Sequence, residues 1–393
     1  MLAGLSAAAV SLLGVGVVLS SQDGEPITPP PPKPDIPLDA WAPYWVLDDS
    51  VPTTSQRLGS MREVSPFWFN ATGVDTIEID PNTPTGLADD FLDAVRDTDV
   101  ALVPSIVDAL PAGGMAAILA DPDDRAAHVD AIIEFADELD ADGIDLDYEQ
   151  FAFADGRDTW ADARPDWVAF VAELDGRLEA DDRTLTVSIP PVYDTERGSD
   201  SGFWVYDHGA ISEYVDRIRL MIYDFSVAEP GPIAPISFVN RSIAGSIANG
   251  VPLEKIVAGI PTYGRNWPTG TVGDCTGAEL VGVTTVNNRT IDDLLVRRQA
   301  TSTFDATTGE WRATYDLPVE SASGTCVQSR VVHWVDSEGV RLRMDQARTA
   351  RLGGVALWAY GFEDDAVWAE ILPTVDDDDV ESPVSPSTSA PDG

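Results

Sequence analysis

The chain has 393 residues, of which 44% are hydrophobic and 23% charged, enough for one large domain with additions or for two to three average domains. Its 67 acidic and 24 basic residues give a formal net charge of −43. So negative a surface repels nucleic-acid phosphates and anionic lipid headgroups and leaves neutral polymers as permitted partners.

Residues 2–19 form an uncharged apolar run followed by Ser20, Ser21, Gln22 and Asp23, the pattern of a signal peptide (residues 1–20) or of an N-terminal membrane anchor. A proline-rich stretch, residues 21–38, reads as an extended linker. Short apolar runs then alternate with helical patterns. The predicted strands are Trp41–Val46, Val64–Phe69, Ala101–Val107, Gly143–Glu149, Leu185–Pro190, Ile218–Tyr223, Ile256–Pro261 and Gly354–Tyr360. Between them, Val129, Ile132, Ile133, Ala136 and Leu139 recur at helical spacing after Asp121-Pro122, as do Trp167, Phe170, Val171 and Leu174. Eight strands mostly separated by helices predict an α/β fold, a (β/α)8 TIM barrel, over residues 39–267 and 342–372.

The alternation breaks after the seventh strand. Residues 268–341 contain β-rich pieces and both cysteines, and predict a small α+β insertion domain beside the barrel mouth. In an exported chain, Cys275 and Cys326 pair as one disulfide, two separate thiols being the alternative. His128, His208 and His333 are far apart and lack metal-ligand spacing, so neither a metal nor another cofactor is expected. Residues 373–393 form an acidic Ser/Pro-rich tail without apolar periodicity, expected to be disordered.

The chemistry concentrates in the fourth strand, DADGIDLDYEQ at 140–150. Side chains on a strand alternate between faces, so Asp145, Asp147 and Glu149 share one and Ile144, Leu146 and Tyr148 the other. If the apolar set packs on the helices, the carboxyls point into the barrel. Like charges and desolvation then raise at least one proton affinity, as a general acid requires. Glu149, outermost at the C-terminal end, reaches a substrate first. Closely spaced aspartates are expected by chance in so acidic a chain, and a divalent-cation site is a further alternative. The alternating apolar residues argue for a strand instead.

Asp142 to Glu149 resembles the DGxDxDxE signature of glycoside hydrolase family 18, the chitinase-type enzymes. Met221-Ile222-Tyr223-Asp224 resembles that family's strand-six MxYD element, Trp358 its strand-eight tryptophan, and residues 255–267 its strand seven. The resemblance covers about residues 40–370 and implies a retaining hydrolase of β-1,4-linked N-acetylglucosamine polymers, chitin or peptidoglycan, acting by substrate-assisted catalysis. It assigns Glu149 as the acid, Asp147 as the group that orients the 2-acetamido substituent, and Asp145 as its proton-sharing partner. Tyr223 would bond the acetamido oxygen, Asp224 and Met221 would contact the sugar, and Trp358 would form its floor. Trp45, Trp68 and Trp267 are further aromatics that could extend this platform.

One element departs from the pattern. The family's SxGG at strand three is replaced by Ser105-Ile106-Val107-Asp108. The segments 64–73 and 223–239 resemble the bacterial cell-wall and spore-lytic branch, which favours peptidoglycan. A glycan-binding lectin on the same barrel is the alternative from another class, although such relatives usually lose the acid or its aspartate partner. The expected protein is a monomer, secreted or attached to the cell envelope, with a polysaccharide as its partner.

Overall fold

Eight parallel strands close into a ring: Leu38–Pro43, Glu63–Ala71, a third in two pieces (Ala101–Leu102 and Ser105–Asp108), Gly143–Asp147, Thr184–Ile189, Arg217–Leu220, Ile256–Pro261 and Gly354–Trp358. The computed structural model describes residues 34–193, 202–322, 324 and 326–372. The apolar run 2–19, the linker as far as residue 33 and the tail 373–393 lie outside the described residues. Closure is set by register: Asp39 stands opposite Glu63 on one side and Ala356 on the other, so the first strand joins the second and the eighth.

The sequence reading places each of these strands, with shifts at the ends. The first begins at Leu38 rather than Trp41. Leu38, Ala40 and Ala42 are buried in the shell between barrel and helices. Asp39 and Trp41 are buried too: Asp39 accepts from Arg62, just before strand two, and Trp41 donates across the ring to strands four and five. The prolines just before the strand conceal that alternation in the sequence. The strand stops at Pro43, after which Tyr44–Val46 turns into the helix Leu47–Arg57.

The outer helices form where the apolar spacing predicts. Asp121 caps the helix Pro122–Leu139, accepting from the backbone N–H groups of Asp123 (2.9 Å) and Asp124 (3.2 Å). The helix Trp160–Ala180 buries Trp167, Phe170, Val171 and Leu174.

After strand seven the chain enters an antiparallel five-stranded sheet, ordered Thr284–Asn287, Tyr263–Val272, Cys326–Trp334, Glu310–Val319 and Ser302–Asp305. With the helix Asn288–Arg298 it has its own small core of Val286, Ile291, Leu294, Tyr315 and Trp334. A disulfide joins Cys275 to Cys326. Only Thr262 separates strand seven from this sheet, so Tyr263 and Arg265 are held at the barrel mouth.

Inside the ring, one fully buried cation meets three buried acids. Arg219 donates to Glu63 (2.5 Å), Asp145 (3.2 Å) and the hydroxyl of Ser65 (2.6 Å), and lies 3.6 Å from Asp39. Burial works against its charge, but Glu63, Asp145 and Asp39 outweigh that and push its pKa further up. Asp39 also takes two bonds from Arg62, at 2.8 and 2.6 Å. Removing one partner of such a buried cluster leaves uncompensated charge. Arg219→Met is therefore expected to lower unfolding free energy in urea by about 3–5 kcal/mol, and Arg219→Lys by less; a loss below about 1 kcal/mol for Arg219→Met would show that the cluster is not what braces the ring.

Candidate functional site

A cleft of about 870 Å³ opens at the C-terminal ends of the barrel strands, the face where barrels of this kind place their chemistry. Asp147 lines it from the end of strand four and Glu149 from the turn that follows, Met221, Tyr223 and Asp224 from the turn after strand six, and Trp358 from strand eight. The structure thus brings six of the expected residues to one cavity. Asp145, the seventh, lies deeper, fully buried in the ring.

Strand four has the predicted alternation. Ile144, Leu146 and Tyr148 are fully buried against the helical shell. Tyr148 stacks on Phe170 at 5.8 Å and its hydroxyl donates to Nε2 of His128 (2.7 Å). The other ring nitrogen, Nδ1, donates to the Val74 carbonyl (2.8 Å), which sets the tautomer in which Nε2 accepts. Burial lowers the His128 pKa, against that bond, and favours the neutral ring.

The regular strand stops at Asp147, however, and Glu149 has helical backbone angles (φ −108°, ψ −20°). Asp108 produces this turn. Its buried carboxylate, at the end of strand three, accepts from the backbone N–H of Glu149 (2.8 Å) and of Gln150 (2.9 Å). Sequence reasoning missed it, although the signal was present in the aspartate that ends Ser105-Ile106-Val107-Asp108 where the related pattern has glycine.

The carboxyls differ in their surroundings. Asp145 accepts from the Trp41 indole (3.1 Å), Ser105 (2.6 Å), Ser188 (2.7 Å) and Arg219. Among the described residues no hydrogen bond joins Asp145 to Asp147; Asp145 is held by these four donors, and burial raises its pKa. Asp147 is 3% exposed and, among the described residues, its Oδ1 has no hydrogen-bond partner. Burial first, then the charges of Glu149, Asp145 and Asp108, hold its pKa well above the usual carboxylate range. Burial, reinforced by Asp224, pushes Glu149 from 4.5 to about 7. Burial likewise raises Asp108 from 3.8 to about 7, against the two backbone donors.

On the opposite wall, Tyr223 and Trp358 stack with ring centres 6.1 Å apart and planes 25° apart. Gly259 on strand seven allows this, since a Cβ there would lie 2.9 Å from the Tyr223 ring. Asp224 adopts a left-handed backbone (φ 55°), tolerable for aspartate. It is gripped by Arg265 (2.6 and 3.1 Å) and by the Tyr263 hydroxyl. Neither partner was legible as a site residue, because both come from the sheet beyond strand seven. Of the additional aromatics, Trp45 is half-exposed at the cleft, whereas Trp68 and Trp267 are buried (2% and 1% exposed) and outside it. Their indoles fill the packing layers instead.

Because Asp108 satisfies two backbone donors in the turn that presents Glu149, Asp108→Ala leaves both without their partner. The expected cost is about 2–4 kcal/mol in denaturant unfolding. Asp108→Asn, which keeps one acceptor, should lose less; equal stability of Asp108→Ala and the unsubstituted protein would remove Asp108 from the account.

Comparison with known proteins points the same way. The sequence matches the family model for Glycosyl hydrolases family 18 over residues 76–363. It is 28% identical over 249 residues to YdhD of Bacillus subtilis (strain 168), whose name describes a sporulation-specific glycosylase; the match takes in 61% of this chain and 52% of YdhD. The chain thus spans about half the length of that relative. Among solved structures, the chitinase of Chromobacterium violaceum superposes with a TM-score of 0.70 at 20% identity, covering 86% of this chain and 98% of the other. The spore cortex-lytic enzyme SleL of Bacillus megaterium does so with 0.68 at 17%, covering 88% and 76%. Both structures share the fold, and the match over residues 76–363 establishes that the chain belongs to glycosyl hydrolase family 18.

Proposed function

We propose that this chain is a retaining glycoside hydrolase that cleaves β-1,4-linked N-acetylglucosamine polymers, chitin or the glycan strands of peptidoglycan, with the substrate's own acetamido group as nucleophile. The observation that carries this reading is the pairing of two carboxyls in one cleft. Burial pushes the Glu149 carboxyl up to about 7, and Asp147 beside it is buried with an oxygen that has no hydrogen-bond partner among the described residues.

A buried polar atom without a partner is costly. An acetamide N–H is the kind of donor that would relieve it. In the proposed reaction Glu149 gives its proton to the glycosidic oxygen as that bond to the anomeric carbon breaks. The acetamido carbonyl oxygen bonds to the same carbon from the other face, and the positive charge spreads over the resulting ring. Asp147 is placed to receive the N–H and to balance that charge, which also favours its ionised form. Tyr223, whose phenol burial keeps protonated, can donate to the acetamido oxygen. Water then attacks the anomeric carbon, returns its proton to Glu149 and restores the acetamide, so two inversions retain configuration.

Asp224 is unavailable as a second attacking carboxylate, because Arg265 and Tyr263 hold it. In this reading it meets the sugar and raises the proton affinity of Glu149, and Met221 and Trp358 supply the apolar floor. Asp145 acts on Asp147 through its charge. Residues 2–19 would direct the chain out of the cytoplasm or anchor it at the envelope, a setting in which the Cys275–Cys326 disulfide persists.

Product analysis of N-acetylglucosamine oligomers and isolated peptidoglycan tests the reading. Glu149→Gln is expected to lower kcat by about 10²–10⁴-fold while folding and oligomer binding persist; unchanged turnover would end the assignment, and binding without any product from the unsubstituted protein would favour a lectin. The pH profile follows from the sign of the shift. Glu149 must be protonated to act, so its titration sets an alkaline limb along which activity falls as pH rises through about 7. Asp224→Asn removes the neighbouring negative charge and should move that alkaline limb to lower pH; a limb that stays in place would separate Asp224 from the acid.

A further inference from the structure

The cleft contains a second guanidinium whose situation differs from that of Arg265. Arg241, on the helix Ile236–Ala248, lines the same cavity as Glu149 and Asp147. Its guanidinium carbon lies 4.7 Å from the centre of the Tyr193 ring. Among the described residues it makes no ion pair and no hydrogen bond, whereas Arg265 is held twice by Asp224. Scarcity of acids does not explain this, because the chain has 67 acidic residues for 24 basic ones. Beside Arg241 the cleft wall is aromatic instead: Tyr193 packs on Phe238 at 6.0 Å and Phe238 on Phe225 at 5.1 Å.

A guanidinium whose carbon sits over an aromatic ring, with no other partner, keeps N–H groups available, and these can bind a carboxylate through two parallel bonds. Arg241 is itself exposed, so a ligand in the cleft can reach that edge. Of the other charged or titratable side chains lining the cleft, Arg265 is already paired with Asp224, and Glu149 and Asp147 are the two carboxyls of the proposed reaction, which leaves Arg241, among the described residues, as the cation open to an anionic group.

We infer that Arg241 is a carboxylate-reading subsite, and that the glycan this cleft prefers carries an acidic substituent next to its N-acetyl sugars. The inference rests on the glycosidase reading above and narrows its substrate. Chitin is neutral and offers nothing to Arg241. In peptidoglycan every second sugar bears a lactyl ether whose carboxyl is either free or linked to a peptide that itself ends in a carboxylate. Both sources present the same chemistry.

The test measures equilibrium binding to Glu149→Gln protein, with and without Arg241→Gln. Three ligands of equal length are compared: a neutral N-acetylglucosamine tetrasaccharide, a peptide-free peptidoglycan tetrasaccharide with free lactyl carboxylates, and the same tetrasaccharide bearing its peptides. Arg241→Gln is expected to reduce the preference for a carboxylated over the neutral ligand by about tenfold, with Arg241→Lys between the two. Whichever carboxylated ligand loses more identifies the source. A preference that is the same with and without Arg241 overturns the inference. Turnover of the three ligands by the unsubstituted protein is read separately: cleavage of none would refute the glycosidase reading, while the binding ratio would still decide the role of Arg241.

Discussion

The guanidinium of Arg219 is sealed inside the barrel with Glu63, Asp39 and Asp145 around it, and the site above depends on that arrangement. Ion clusters of this kind contribute little net stability relative to an apolar core, but they are strict about geometry. Strands one, two, four and six each contribute one member, so the register of half the ring is tied to one side chain. Ser105, Ser188 and the Trp41 indole complete the hold on Asp145. With Asp145 saturated, the next carboxyl along strand four, Asp147, is left buried and unsatisfied. The partnered interior and the unpartnered mouth are two ends of one strand.

Much of this was legible in the sequence, for a physical reason. Strand four alternates apolar and acidic residues, and period two has a single meaning in a strand buried on both faces: one set packs on helices and the other points into the ring. Ile144, Leu146 and Tyr148 are packed in that way, and Asp147 and Glu149 both reach the cleft. What the pattern could not reveal was the backbone beyond Asp147. The turn there is set by Asp108, about forty positions earlier in the chain, whose two bonds to the backbone of Glu149 and Gln150 depend on closure of the barrel. Tyr263, Arg265 and Arg241 were missed for the same reason, since each reaches the mouth through tertiary placement; the strand-seven segment 255–267 contains the first two without marking them as site residues. The prolines before Leu38 hid the start of strand one, and composition alone cannot separate a buried tryptophan such as Trp68 from a cleft-lining one such as Trp45.

The acidic character of the chain bears on the same chemistry. With a net charge of −43, the protein as a whole opposes further negative charge, and the cleft concentrates that opposition on Glu149, Asp147 and Asp224. Burial does most of the work in raising the proton affinity of Glu149, and Asp224 adds to it while being restrained by Arg265 and Tyr263. Such a field suits an acid that must keep its proton at neutral pH. It suits an anionic glycan only where a local cation offsets it, the position that Arg241 occupies.

The claim at the centre of this account is that Glu149 retains its proton when the other surface carboxyls have lost theirs. Carbon NMR titration of the side-chain carboxyls, with the Glu149 signal assigned by its loss in Glu149→Gln, measures that directly. The account predicts a midpoint near 7. A midpoint at the ordinary glutamate value of about 4.5 would contradict it.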